Sequence, residues 1–236
     1  VELMPHVGGL IRNEVQCLND FGIPLLLKHT VSEIYGNDRV EGVEIAQVDS
    51  DGRVMKGTER DVPCDCLLLS VGLIPENELS IEAGIELDER IGGPIVDEYL
   101  QTNIDGIFAA GNVLQVWDLV DNVSMDGDKT GANAARFVGG GLKIKSSEIK
   151  VITGENIRTV TPQKIVGGEE VEFAVRVRTP LQNAELKVGQ VRKKYRVLSP
   201  TQVIKISLKP SEIESCRETG RIEVSCFERE KGRAHD

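Results

Sequence analysis

Between Glu148 and Phe227 apolar residues recur at every second position. Val171, Phe173, Val175 and Val177 alternate with Glu172, Ala174, Arg176 and Arg178, and Val203, Ile204, Ile206 and Leu208 give a second run. A third is Ile222, Val224 and Cys226. Period-two runs punctuated by Pro180, Gly189, Pro200 and Gly220 predict about seven short strands, packed as a small β-sandwich.

Ahead of that region the periods are mixed. Val1-Glu2-Leu3 reads as the end of a strand. Leu10, Ile11, Val15 and Leu18 recur at helical spacing, and Gly22 after Phe21 supplies a C-terminal stop. The stretches 23–35 and 40–48 are rich in β-branched residues, and Asp49-Ser50-Asp51-Gly52 turns the chain into Arg53-Val54-Met55 as a hairpin. Cys66-Leu67-Leu68-Leu69-Ser70-Val71, ended by Gly72, is continuously apolar, as expected of a strand covered on both faces. Residues 78–83 predict a short helix, 107–110 a strand, and 128–138 a helix containing Gly131, Ala132, Ala134 and Ala135. Gly139-Gly140-Gly141 marks a boundary, because three glycines are costly inside any element. The expected fold class is therefore α/β, with partial Rossmann-like nucleotide-binding segments, plus a carboxyl-terminal all-β sandwich. The expected divisions are 1–72, 73–143 and 144–236.

Composition narrows the function classes. With 236 residues, 40% apolar and 28% charged, the chain is of globular type. A formal net charge of -10 argues against a nucleic-acid surface, which needs clustered Lys and Arg. No apolar run approaches the roughly 20 residues needed to cross a bilayer, and the start, VELMPHVGG, lacks the features of a signal peptide. The five cysteines, Cys17, Cys64, Cys66, Cys216 and Cys226, are odd in number and form no CxxC pair, which suits reduced thiols and a cytoplasmic setting. Cys64 and Cys66, two apart in an expected strand, point to one face and are expected to pack rather than to carry redox chemistry.

Three segments carry candidate chemistry. Glu2 ends the opening strand, where a dinucleotide-binding βαβ unit places the acid that bonds the ribose hydroxyls. In CDCLLLSVGLIPENEL, Gly72 allows a sharp turn and close ligand approach, while Pro75 stiffens the exit. In TNIDGIFAAGNV, an apolar strand ends at Gly111-Asn112-Val113, followed by a loop and a small-residue helix whose first N–H groups are unpaired. Trp117, the only tryptophan, is expected to pack in the loop after that turn. His29 and His235 receive no catalytic role, and His6 lies beside the expected ribose site.

This order of strand-end acid, helix, hairpin, LLLSVGLIP and TNIDGIFAAGNV resembles the carboxyl-terminal part of the pyridine nucleotide-disulfide oxidoreductase superfamily, flavoproteins with two dinucleotide-binding domains. The resemblance covers residues 1–139. It implies FAD and NAD(P)H as cofactors, a junction between nicotinamide and flavin domains at Gly72 and Pro75, and a strand-end pair at Gly111 and position 112 that meets the flavin ribityl chain. The family carries an acid at that position, where this chain has Asn112. An amide still accepts from or donates to a hydroxyl. The resemblance also implies Ala109 and Ala110 beneath the cofactor, and backbone N–H groups near Asp128, Lys129 and Thr130 at the flavin pyrimidine edge. Neither GxGxxG fingerprint occurs in the sequence. The expectation is thus a carboxyl-terminal portion of an FAD-dependent, NAD(P)H-linked oxidoreductase, inactive alone. The alternative is a non-catalytic scaffold that binds a partner subunit through its β-sandwich.

Overall fold

A computed structural model describes residues 1–9, 11–142 and 147–229, which excludes Leu10 and His235. The chain divides into two compact units, Val1–Gly72 and Leu73–Asp236.

In the first unit Glu2 pairs in parallel with Leu27 across a helical segment: α1 (Ile11–Asn13), a wider turn at Glu14–Leu18 and a tighter one at Asn19–Phe21. Gly22 closes that segment in the left-handed region at φ 63°, a conformation cheap only for glycine. The parallel bridge with a helical crossover is a reduced βαβ unit. A meander follows, with β1 (His29–Tyr35) antiparallel to β2 (Gly42–Gln47), and β2 antiparallel to β3 (Arg60–Pro63). The expected turn at 49–52 is present: Val48 pairs with Val54, and the Gly52 N–H donates to the Asp49 carbonyl at 3.1 Å. Among the described residues, Val43, Ile45, Ala46 and Val48 are the buried apolar side chains of this unit.

The run 66–71 is a correction. It forms no strand, and Leu68 and Val71 are 88% and 89% exposed. A covered strand needs neighbours on both sides. The sheet of this unit instead runs β1-β2-β3, and β3 ends at Pro63, which has no N–H to extend a ladder. Cys66 is accordingly exposed and Cys64 half-buried, so the expected packing of this pair is not found.

In the second unit α2 (Glu78–Glu82) and α3 (Val120–Val138) precede the strands. The expected strand at 107–110 is reduced to one antiparallel bridge between Gln101 and Phe108, closed by the Ala109 N–H on the Leu100 carbonyl at 3.0 Å. The helix expected over 128–138 begins instead at Val120. Its buried residues are Asp126 and Asn133 while Val120 and Val138 are exposed, so no apolar stripe announces its first turns.

Eight strands follow: β4 (Ile149–Thr153), β5 (Ile157–Thr161), β6 (Lys164–Ile165), β7 (Val171–Val177), β8 (Leu181–Val188), β9 (Val191–Leu198), β10 (Ile204–Leu208) and β11 (Arg221–Glu228). A short helix, α4 (Pro210–Glu214), lies between the last two. One sheet has the order β10-β7-β5, the other β6-β4-β11-β8-β9, and only β4 and β11 pair in parallel. Alternation along β7 buries Val171, Phe173, Val175 and Val177 against Leu186, Ile222 and Val224 of the other sheet, which makes the expected sandwich. No described helix is long and apolar enough to cross a membrane.

The segment before α3 is tied to the sandwich by polar groups. The Glu98 carboxylate accepts the N–H groups of Val166 and Gly167. Gln163 receives the Val96 N–H on its side chain at 2.9 Å and donates its own N–H to the Val96 carbonyl at 3.1 Å. Arg136 forms a two-pronged pair with Glu169 at 2.8 and 3.2 Å.

Asp97, beside Glu98, accepts the N–H groups of Tyr99 and Gln101 at 2.9 and 3.0 Å. Burial outweighs these bonds and pushes its carboxyl from the ordinary 3.8 up to about 6, and burial also raises Glu98. An acid raised in the folded state keeps its proton after the unfolded chain has lost it. Its contribution is therefore fully present below the ordinary value and is lost as pH rises toward the folded one. Stability from Asp97 is expected to fall between about pH 4 and about pH 6. Asp97→Asn is expected to flatten that decline, read as urea midpoints across the range; an unchanged slope contradicts the assignment.

Candidate functional site

The candidate site is built around the turn at Gly111. Asp97 fixes the preceding loop, Leu100 adopts φ 65°, and the chain returns through Ala109 and Ala110 to Gly111 at φ 66°. A side chain at this buried glycine would be strained, and its Cβ would meet Val123 Cγ1 at 3.2 Å. Gly111, Asn112 and Val113 form one tight helical turn, with the Leu114 and Gln115 N–H groups donating to the Gly111 carbonyl at 3.0 and 3.1 Å. Asn77, just before α2, locks this turn, its side-chain nitrogen donating to the carbonyls of Val113 at 3.0 Å and Gly92 at 2.8 Å.

Asn112 is exposed. Its Oδ1 accepts the Trp117 backbone N–H at 3.2 Å, and its amide nitrogen makes no hydrogen bond among the described residues. The Trp117 indole N–H donates to Asp126 Oδ2 at 2.8 Å, and the Lys205 ammonium lies 5.4 Å from the ring centroid. Burial raises the Asp126 carboxyl, against the lowering effect of the Trp117 bond, of Lys205 and Lys129, and of a hydrogen bond from the Gly111 backbone. Burial likewise lowers Lys129, opposed by Glu172, Asp126 and Glu98. Trp117, Asp126 and Lys129 border a cavity of about 150 Å³ that reaches Thr161 and Glu172 of the sandwich. A second, apolar groove of about 260 Å³ lies beside Ala109, Ala110 and Val113, walled by Leu79, Ile85 and Pro94.

The other expected residues are placed as follows. Glu2 is half-buried and accepts the N–H groups of Met4 and Gly8 at 2.9 and 3.1 Å. His6 has Nδ1 3.5 Å from the Val7 carbonyl. Gly72 adopts φ 93° at the end of the first unit. Pro75 belongs to the second, with Cδ 3.8 Å from where a Cβ on Gly92 would lie. Because α3 starts at Val120, the N–H groups of Asp128, Lys129 and Thr130 lie well inside it and are committed to its own carbonyls. The donors open to a ligand are those of the first turn, at Val120 and Asp121. The Thr130 hydroxyl likewise donates to the Asp126 carbonyl at 2.7 Å.

Sequence reasoning missed Asp126, Gln115 and Lys205. Only Trp117 carried a usable signal, since a packed indole N–H calls for an acceptor. Asp126→Leu is expected to leave that N–H unpaired, destabilising the protein by about 1–3 kcal/mol and shifting the emission of its single tryptophan. Unchanged emission and stability would contradict the Trp117–Asp126 bond.

The sequence matches the pyridine nucleotide-disulphide oxidoreductase family over residues 3–127, just over half of the chain. It is 32% identical over 133 residues to the glutamate synthase (NADPH) small chain of Halomonas elongata, covering 51% of this chain and 28% of that protein. Against the nitrite reductase (NAD(P)H) of Bacillus subtilis it is 36% identical over 110 residues, covering 47% and 12% respectively. Among solved structures, T. acidophilum thioredoxin reductase aligns with a TM-score of 0.50 and 28% identity, over 59% of this chain and 43% of that one. The chain spans less than half the length of each of these relatives. The matched region runs from just after Glu2 through the Gly111 turn into α3, and on that ground the chain belongs to the pyridine nucleotide-disulphide oxidoreductase family.

Proposed function

We propose that this chain is part of an FAD-dependent, NAD(P)H-linked oxidoreductase, to which it contributes the second half of a nicotinamide-binding segment (1–72), a returning flavin-binding segment (73–143) and an appended sandwich (144–236). The family uses FAD and NAD(P)H. The observation that carries the reading is the Gly111-Asn112 turn, which lies inside the family match and combines a left-handed glycine with an exposed amide.

The residues fit such cofactors. Gly111 lets the backbone come close to a ligand, and Asn112 keeps its amide nitrogen for a ribityl hydroxyl while its oxygen braces Trp117. Val113 is the last residue of that turn. Glu2 retains acceptor capacity for ribose hydroxyls beside its bonds to Met4 and Gly8, while Gly72 and Pro75 form the passage between the two segments. Lys129 and Thr130 contribute through the fold of α3 rather than through free backbone donors. When bound, the cofactors supply hydride transfer, and the protein supplies placement and electrostatics. No GxGxxG fingerprint lies in these residues, so we infer that the site is completed outside them and that this chain alone is inactive. The five free thiols support a cytoplasmic setting.

The test is flavin retention in the gene product purified from its natural source. It is expected to carry FAD that NAD(P)H bleaches. Asn112→Ala, which leaves the glycine turn intact, is expected to weaken FAD about fivefold, as for one lost hydrogen bond. A colourless product, or one whose flavin affinity ignores both Asn112→Ala and Gly111→Val, contradicts the proposal.

A further inference from the structure

The outer face of the β6-β4-β11-β8-β9 sheet carries none of the residues assigned above, and it is basic although the chain's formal net charge is -10. Alternation along each strand decides which side chains it holds. Leu186 and Val188 of β8 and Ile222 and Val224 of β11 belong to the sandwich core, so Lys187 and Arg221 lie on the outer side. On β9 the register sets Lys193 opposite Leu186 and Arg192 opposite Lys187, which puts Arg192, Lys194 and Arg196 on that outer side too. Among the described residues of these strands, two acids share the face. Glu185 is held by Arg192 at 2.8 Å and by Arg229 at 3.8 Å, and Glu223 accepts the Ser225 hydroxyl at 2.6 Å. The cations are in excess. Lys187 and Arg192 stand directly opposite each other, a pairing of like charges that costs stability. Lys194 and Arg196 are exposed and make no ion pair among the described residues.

The same three residues of β9 carry its free backbone groups. β9 is the last strand of its sheet, paired with β8 alone among the described strands. A two-residue turn at Gly189 and Gln190 joins the strands, so Val188 and Val191 form the closing pair that exchanges both hydrogen bonds. Counting on from that pair, Val191, Lys193 and Tyr195 direct their N–H and C=O groups at β8. Arg192, Lys194 and Arg196 direct theirs away from it, where no described backbone group meets them. The edge thus presents a cation and an unpaired N–H and C=O together, repeated about every 7 Å. Lysine on an edge strand ordinarily keeps like edges apart. A strand with carboxylates at alternate positions escapes that protection, because the cations attract it.

We propose that this edge docks an acidic segment of a partner protein, which adds to β9 as a further strand with Asp or Glu at every second position beside Arg192, Lys194 and Arg196. The backbone ladder supplies affinity and the alternate carboxylates supply selectivity. A peptide is favoured over other polyanions for two reasons. Nucleic acid and anionic bilayers cannot pair with the free N–H and C=O groups, and both extend past the patch into the field of a chain with 38 acids against 28 Lys and Arg. The proposal is independent of the cofactor reading.

The test is fluorescence anisotropy of a short labelled peptide in which glutamate alternates with threonine, titrated with the full chain. Two control peptides have the same composition: one groups its glutamates in a block, and the other is N-methylated along the backbone, which removes ladder donors and keeps the charge. The alternating peptide is expected to bind, more weakly as salt rises, and both controls are expected to bind about tenfold more weakly or worse. Lys194→Gln combined with Arg196→Gln, two exposed positions, is expected to leave the thermal midpoint unchanged and to weaken the alternating peptide about tenfold. Lys194→Arg combined with Arg196→Lys is expected to retain binding. No binding, or equal binding of either control peptide, overturns the proposal, as does a double glutamine variant that binds like the original. Duplex DNA or phosphatidylserine vesicles that displace the peptide at matched charge concentration also overturn it. So does a dimer of the chain alone, seen by sedimentation and dispersed by the double glutamine variant, since that assigns the edge to a second copy.

Discussion

A backbone N–H or C=O removed from water needs a partner within the protein. In the second unit several of those partners are side chains that join the segment before α3 to the strands. Val96 is bonded through both its N–H and its carbonyl to Gln163, Glu98 takes two N–H groups at Val166 and Gly167, and the Arg176 guanidinium holds the Val116 carbonyl at 2.8 Å. The segment has little apolar area of its own: its buried cluster is Val96, Leu100, Ala109 and Leu114. Its conformation, including the left-handed residues Leu100 and Gly111, therefore depends on the sandwich as a source of hydrogen bonds.

The same economy shapes the site. Because α3 buries Asp126 and Asn133, it meets its surroundings through specific bonds: Asp126 to the Trp117 indole, Asn133 to the Tyr99 carbonyl at 2.9 Å. Such contacts fix direction better than apolar packing does. They set Trp117, and through its backbone N–H Asn112, in one orientation beside the Gly111 turn. The turn inside the family match is thus held in place partly by residues beyond the match, at Thr161, Arg176 and Lys205.

The sandwich is legible in the sequence because each strand repeats one simple rule. Val171, Phe173, Val175 and Val177 face the shared core wherever the neighbouring strands lie, so period two suffices. The Gly22 stop and the turn at 49–52 are legible for local reasons of φ and turn chemistry. The run 66–71 misleads because its composition describes what a strand needs, not whether neighbours exist to supply it. The start of α3 is invisible for the opposite reason: the sequence places polar residues on its buried side and Val120 and Val138 in solvent, which inverts the usual amphipathic pattern. Glycine and asparagine at 111 and 112 can be singled out, whereas Gln115 and Lys205 acquire meaning only when strands distant in sequence meet the same cavity.

The central claim is that the segment before α3 and the sandwich stand or fall together through their polar pairs. Amide hydrogen exchange tests it most directly, comparing the N–H groups of Ala109 and Gln163 with those of β7. The account predicts one shared opening free energy, with these amides exchanging only when the β7 core opens. Ala109 and Gln163 exchanging freely while β7 stays protected would contradict it.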